Sequence, residues 1–185
     1  RALLAQAWGA GQALGLDVDD RLPMLFPLAQ AVAAYPMLLP LMHGASLAAR
    51  DLRAEGLVGF VDWLRDEAVT VMYLSPTVVR FLAEPEAPAS TALRLVVLGG
   101  ERVDDDAVAG VRRHFGTGVV FFNESATTET GVLSFFFTEP GQRYGRLGVP
   151  AGRPVETVEI ELQGPDGGPV PRGEPGDVVV RGDGI

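Results

Sequence analysis

The chain has 185 residues, 47% apolar and 21% charged, a globular composition that excludes extended disorder. Its formal charge is −9 with a pI near 4.7 and scattered basic residues, which argues against nucleic acid as a main partner. Cysteine and lysine are both absent, so disulfides, thiolate metal sites, Schiff bases and a phosphate-loop lysine are excluded within these residues. Taken in chain order, Arg1-Ala-Leu-Leu reads as the middle of a helix with no signal peptide, and a cytoplasmic setting is expected. Residues 2–15 are helical in pattern and close at Gly15 before the turn Asp17-Val-Asp-Asp20. From Leu22 to Ala49 no side chain is charged, a length that could span a membrane. Pro23, Pro27, Pro36 and Pro40 interrupt it, so it reads as a buried strand at 22–26, a turn and a buried helix at 31–43, without membrane contact. Residues 57–67 show helical spacing and 70–74 read as a strand; 77–82 form a short helix that Ser75 can cap. A buried strand at 93–98 ends at Gly99-Gly100. The helix at 104–115 opens on acids and closes on Arg112, Arg113 and His114, which suits its dipole. Strands follow at 118–122 and 132–137.

The alternation predicts an α/β fold with a mainly parallel sheet flanked by helices. After Pro140 glycine and proline become dense and helical periodicity stops. Strands are expected at 155–162 and 177–180, around the turn Asp166-Gly-Gly168. A boundary near 141 therefore divides an α/β subdomain, 1–140, from a partial β-rich one, 141–185. The second is too small for a large core of its own and should lean on the first or on further chain.

Ligands of open parallel sheets bind beyond the carboxyl ends of the strands. Two polar clusters fall there. Gly99-Gly100-Glu101 follows a buried strand, and its glycines allow close backbone approach to a ligand or simply make a turn. Asn123-Glu-Ser-Ala-Thr-Thr-Glu-Thr-Gly131 is rich in hydroxyls and carboxylates, which can hold phosphate oxygens and Mg²⁺ or merely solvate a loop. Asp104-Asp-Asp106 reads as a helix N-terminus, and Tyr35 and Trp63 as core. His43 and His114 lack any triad or zinc pattern. Asn123-Glu-Ser125 matches a glycosylation sequon, with nothing else pointing to secretion.

Together the clusters resemble the adenylate-forming superfamily of acyl- and aryl-CoA synthetases, luciferases and nonribosomal peptide synthetase adenylation domains. Leu93-Arg-Leu-Val-Val-Leu-Gly-Gly-Glu101 is similar to the family strand ending in Gly-Gly-Glu, and Asn123 to Glu129 resembles its Asn-x-Tyr-Gly-x-Thr-Glu motif. Val149-Pro-Ala-Gly-Arg-Pro154 and Gly173-Glu-Pro-Gly-Asp-Val-Val-Val-Arg-Gly182 are similar to two later segments. Arg1-Ala-Leu-Leu resembles the helix after the phosphate-binding loop. An unrelated Rossmann-like nucleotide binder is the poorer reading, because no strand is followed by Gly-x-Gly-x-x-Gly.

The resemblance implies ATP and Mg²⁺ as reactants, a carboxylic-acid substrate, and an acyl-adenylate passed to CoA or to a carrier-protein phosphopantetheine. It implies that Thr128 contacts the α-phosphate and Glu129 holds the metal. Gly99, Gly100 and Glu101 would wall the adenine, with Asn123 at its edge and Ser125, Ala126 and Thr127 completing the nucleotide segment. Glu124, Val132 and Leu133 would line the acyl pocket, with Tyr35 a further candidate and Gln30 near its mouth. Ser125 and Ala126 stand where the family has tyrosine and glycine, so an adenine stack worth about 1–3 kcal/mol is missing. A domain with a decayed site and a structural or protein-contact role is the alternative. Residues 30–34 carry no acid to pair an α-amine. The phosphate-loop lysine, the ribose-binding aspartate and the catalytic lysine of a C-terminal lid have no counterpart here. The chain is therefore expected to be an interior piece of a larger adenylation domain, inactive alone and partnered by the remainder.

Overall fold

Period-two alternation in short apolar runs builds two cores, one on each face of a central sheet. The computed structural model describes residues 2–29, 33–83, 85, 87–89, 91–139 and 141–182. The elements are α1 (Ala2–Ala13), β1 (Arg21–Met24), α2 (Ala34–Met42), β2 (Ser46–Ala49), α3 (Leu52–Glu55) and α4 (Phe60–Asp66). They continue with β3 (Val71–Leu74), α5 (Pro76–Phe81), β4 (Leu95–Leu98), α6 (Asp105–Phe115), β5 (Val120–Thr127) and β6 (Gly131–Thr138). A 3-10 turn at Gly145–Leu147 precedes β7 (Arg153–Pro154), β8 (Glu159–Gln163) and β9 (Asp177–Arg181).

Strands β3, β4 and β5 are parallel, whereas β6 and β7 are antiparallel additions, giving the order β3-β4-β5-β6-β7. A parallel β1–β2 pair abuts β3, where Thr70 N–H donates to the Arg21 carbonyl at 3.0 Å. Val71, Tyr73, Leu95, Val97 and Phe122 point toward α1 and α2. Met72, Leu74, Val96, Leu98 and Phe121 point toward the side of α4 and α6. This is the α/β architecture expected, with its last two strands reversed. The β8–β9 hairpin forms a separate two-stranded sheet.

Local chemistry explains the boundaries. Ser75 Oγ accepts from Val78 N–H, and Asp104 Oδ1 accepts from Ala107 N–H at 2.9 Å, so both helices start where their caps stand. The described residues of the uncharged stretch 22–49 form β1, α2 and β2, with Pro40 inside the helix, and the first two residues of the helix expected at 31–43 lie outside the described residues. Among the described residues no helix is long and apolar enough to cross a membrane. The amino ends of the strands are tied by Asp20, which is 3% exposed. It accepts from Asp17 N–H, Thr70 Oγ1 and Arg94, the last at 2.6 Å. Burial alone would raise the Asp20 pKa; Arg94, Thr70 and the Asp17 amide outweigh it and hold it below its ordinary value.

Candidate functional site

The carboxyl ends of β3, β4 and β5 converge with the start of β6. Sequence reading treats 123–131 as a loop between strands. In the structure Asn123–Thr127 continue β5, and only residues 128–130 turn back into β6. The polar run stays in the ladder because β6 supplies its partners, Asn123 opposite Phe136 and Glu124 opposite Phe135. The register slips after Ser125, which pairs with Ser134, while Ala126 pairs with Val132; Leu133 is the unpaired bulge residue. The turn is fastened by Thr127 Oγ1, which accepts from Thr130 N–H and lies 2.8 Å from Thr130 Oγ1. Thr128 and Glu129 are exposed at its tip.

Gly99 ends β4 beside β5: a Cβ there would stand 3.0 Å from the Glu124 carbonyl oxygen. Gly100 has a φ of +80° and open space around it. Glu101 turns toward α5, where Thr77 donates to it from its hydroxyl at 2.8 Å and its amide at 3.2 Å. Those bonds, with Arg80 nearby, hold its pKa below the usual carboxylate value despite partial burial. Asn123 is buried and donates from Nδ2 to the carbonyls of Val149 and Pro150. It thereby clamps the segment Val149-Pro-Ala-Gly152 onto β5.

Beneath the turn, Tyr35 Oη donates to Gln6 Oε1 at 2.7 Å, and Gln6 Nε2 donates to the Thr130 carbonyl at 2.9 Å. Gly131 makes this junction possible: its φ is +68°, and a Cβ would overlap Gln6 Oε1 and Tyr35 Oη. Val132 packs in the same core. A cavity of about 780 Å³ opens on this side between α1 and β6, with Gln6, Trp8, Val132, Phe135 and Arg153 in its wall. Glu124 is half-buried, and burial pushes its carboxyl up to about 7, with Tyr73 pulling slightly the other way. Tyr73 is 5% exposed, and its hydroxyl is driven well above its ordinary value by burial and by Glu124.

Thus Gly99, Glu124, Tyr35, Val132 and the turn 128–130 share one edge, and Glu101 and Asn123 tie that edge to its supports. Gln30 lies outside the described residues. Sequence reading does not flag Tyr73 or Gln6. The signal for Tyr73 is a single polar tip one residue before the end of an apolar strand; Gln6 has none beyond one amide in a helix.

A helix-flanked sheet with this edge is the core of an adenylate-forming fold. The sequence matches the family described as AMP-binding enzyme over residues 1–185, and the chain belongs to that family. It is 31% identical over 125 residues to tyrocidine synthase 3 of Brevibacillus parabrevis, covering 68% of this chain and 2% of that one. It is 30% identical over 173 residues to feruloyl-CoA synthase of an Amycolatopsis species, covering 90% of this chain and 33% of that one. Among solved structures, the Klebsiella oxytoca NpsA N-terminal subdomain in complex with 3-hydroxybenzoyl-AMSN matches with a TM-score of 0.83 at 21% identity. That match covers 100% of this chain and 47% of that subdomain chain, and it is a likeness of fold. The chain spans a third or less of the length of these two curated relatives.

Proposed function

We propose that the protein of which this chain is a part activates a carboxylic acid as its acyl-adenylate and passes the acyl group to a carrier-protein phosphopantetheine or to CoA. The observation that carries this reading is family membership along the whole chain, combined with Gly99-Gly100 and the 128–130 turn on one sheet edge. In the reaction a substrate carboxylate oxygen attacks the α-phosphorus of ATP, and the bond to pyrophosphate breaks in line. Gly99 and Gly100 offer a side-chain-free step against which a flat base can lie. Thr128 donates its hydroxyl to an α-phosphate oxygen, stabilising charge in the transition state. Val132 and Leu133 shape the acyl side.

Mg²⁺ would neutralise phosphate charge when bound. Among the described residues no three metal-ligating side chains cluster, and Glu129 is a single exposed carboxylate. That donor set fits Mg²⁺, which keeps most of its waters and needs one or two carboxylates beside substrate phosphates. The division near residue 141, a cytoplasmic location and docking of 141–185 on the remainder of the domain belong to the same proposal.

ATP–pyrophosphate exchange by the intact parent tests it. Thr128→Val and Glu129→Gln should each lower exchange at least about 100-fold, the scale of losing a group that stabilises developing charge. Exchange that survives both unchanged would refute these roles. A second reading is favoured by one observation: Ser125 is half-buried and Ala126 exposed, with no aromatic ring at either place. If the site has decayed to a structural role, the parent shows no exchange and Ser125→Tyr with Ala126→Gly fails to restore it.

A further inference from the structure

Thr128 and Glu129 are exposed at the tip of their turn, so packing does not place them. Their position is decided by what holds the two ends of the bend. Inside the turn, Thr127 Oγ1 joins Thr130, which fixes the shape of the bend but not its place on the fold. The attachment comes from below. Gln6 Nε2 donates to the Thr130 carbonyl at 2.9 Å, and Tyr35 Oη donates to Gln6 Oε1 at 2.7 Å. The Val132 amide donates to the same Tyr35 oxygen. The residue before Gly131 and the residue after it are thus both held, one from α1 and one from α2.

The chain of bonds runs in one direction. The Thr130 carbonyl can only accept, so the amide nitrogen of Gln6 must face it and the amide oxygen must face Tyr35. The Tyr35 proton then goes to Gln6, and its oxygen is left to accept from Val132. Gln6 is 8% exposed and Tyr35 9%, so solvent has little access to replace these partners. Beside Gln6 the buried face of α1 is apolar, formed by Ala7, Ala10 and Leu14. A glutamine buried in such a face is expected to have its polar atoms paired, and here the pairing reaches the turn.

We propose that Gln6, oriented by Tyr35, is a positioning residue for adenylation: through the Thr130 carbonyl it sets where the Thr128 hydroxyl stands toward the α-phosphate. The inference rests on the adenylation reading and adds to it a residue that touches neither ATP nor the acid. A group misplaced by about 1 Å can cost on the order of 100-fold in rate. Without Gln6 the bend keeps its internal bonds but loses its tie to α1. Gln6 therefore acts on the rate of the chemical step and not on affinity for the acid.

The test uses the intact parent protein and ATP–pyrophosphate exchange with a panel of aliphatic and aromatic carboxylic acids. Gln6→Met keeps the length of the side chain and removes its donors; Tyr35→Phe removes one hydroxyl. Gln6→Met should lower kcat at least about tenfold with the KM of the acid within about twofold, and Tyr35→Phe should lower kcat at least about threefold. Added to Thr128→Val, Gln6→Met should lower exchange less than about threefold further, because the group it positions is already gone. Hydrogen exchange is read on the same proteins. The amides of Thr130 and Val132 should exchange at least about tenfold faster in Gln6→Met, while β3 and β4 keep their protection. If Gln6→Met also loosens β3 and β4, Tyr35→Phe carries both readings. An unchanged kcat, a loss that multiplies with that of Thr128→Val, or unchanged protection at Thr130 and Val132 overturns the proposal and leaves adenylation standing. Absence of exchange by the unsubstituted parent with every acid overturns adenylation, and the role of Gln6 falls with it.

Discussion

Replacing Glu124 by glutamine should make the chain more stable at neutral pH, because the native carboxyl is held in a place that resists its charge. The folded protein keeps the Glu124 proton until about pH 7, whereas the unfolded chain gives it up near the ordinary value of 4.5. Between those values the native state binds more protons than the unfolded one, so stability falls as pH rises through the window and is flat above it. The gap amounts to about 3 kcal/mol in full, a large share of the stability of a single domain. Glutamine keeps the shape of the side chain and has no such loss. Urea unfolding of wild type and Glu124→Gln, followed by Trp63 and Trp8 fluorescence from pH 4 to 8, gives the difference directly. Titrations elsewhere in the chain cancel in that difference. The variant should gain about 3 kcal/mol relative to wild type between pH 4 and 8. A difference that stays flat across the range would show that Glu124 ionises freely, and the account of its burial would fall.

The amino edge gives a contrasting case. Asp20→Ala leaves Thr70, Arg94 and the Asp17 amide without their acceptor and should cost about 3 kcal/mol in urea unfolding. That loss should be constant from pH 5 to 8, because a depressed carboxylate stabilises above its unfolded value and fails only as pH drops through its folded one. Gly152→Ala should cost about 2–4 kcal/mol, since φ is +94° and a Cβ would run into the Phe135 carbonyl. Hydrogen exchange should show β7 released from β6 while β3–β5 stay protected.

Much of the fold is legible in the sequence where one stretch decides its own structure. The apolar runs of β3 and β4 and the acid-to-base gradient of α6 are examples. What escapes is decided by partners. Ser46-Leu-Ala-Ala49 carries little strand signal and becomes β2 because β1 lies beside it. Arg153-Pro154 is two residues long and is a strand only through Phe135 and Ser134. Asn123–Thr127 look like a loop because they are polar, yet a hairpin partner holds them extended. The candidate site divides in the same way. Gly99-Gly100 and Thr128-Glu129 stand out by motif, whereas Tyr73 and Gln6 matter only because β3 and α1 are brought to the same edge.

The Asp20–Thr70–Arg94 tie sits at the opposite end of the strands from these residues. A four-residue strand separates the two ends by about 13 Å. Register is thus secured at one end, and ligand contact is left to the other. Chemistry can change at Glu124, Thr128 or Glu129 without disturbing the ties that align the strands. A library randomised at those positions should therefore remain mostly folded, whereas one randomised at Asp20, Thr70 and Arg94 should not. The same chain can in this way drift in chemistry while keeping its scaffold, with innovation and robustness assigned to opposite ends of the same few strands.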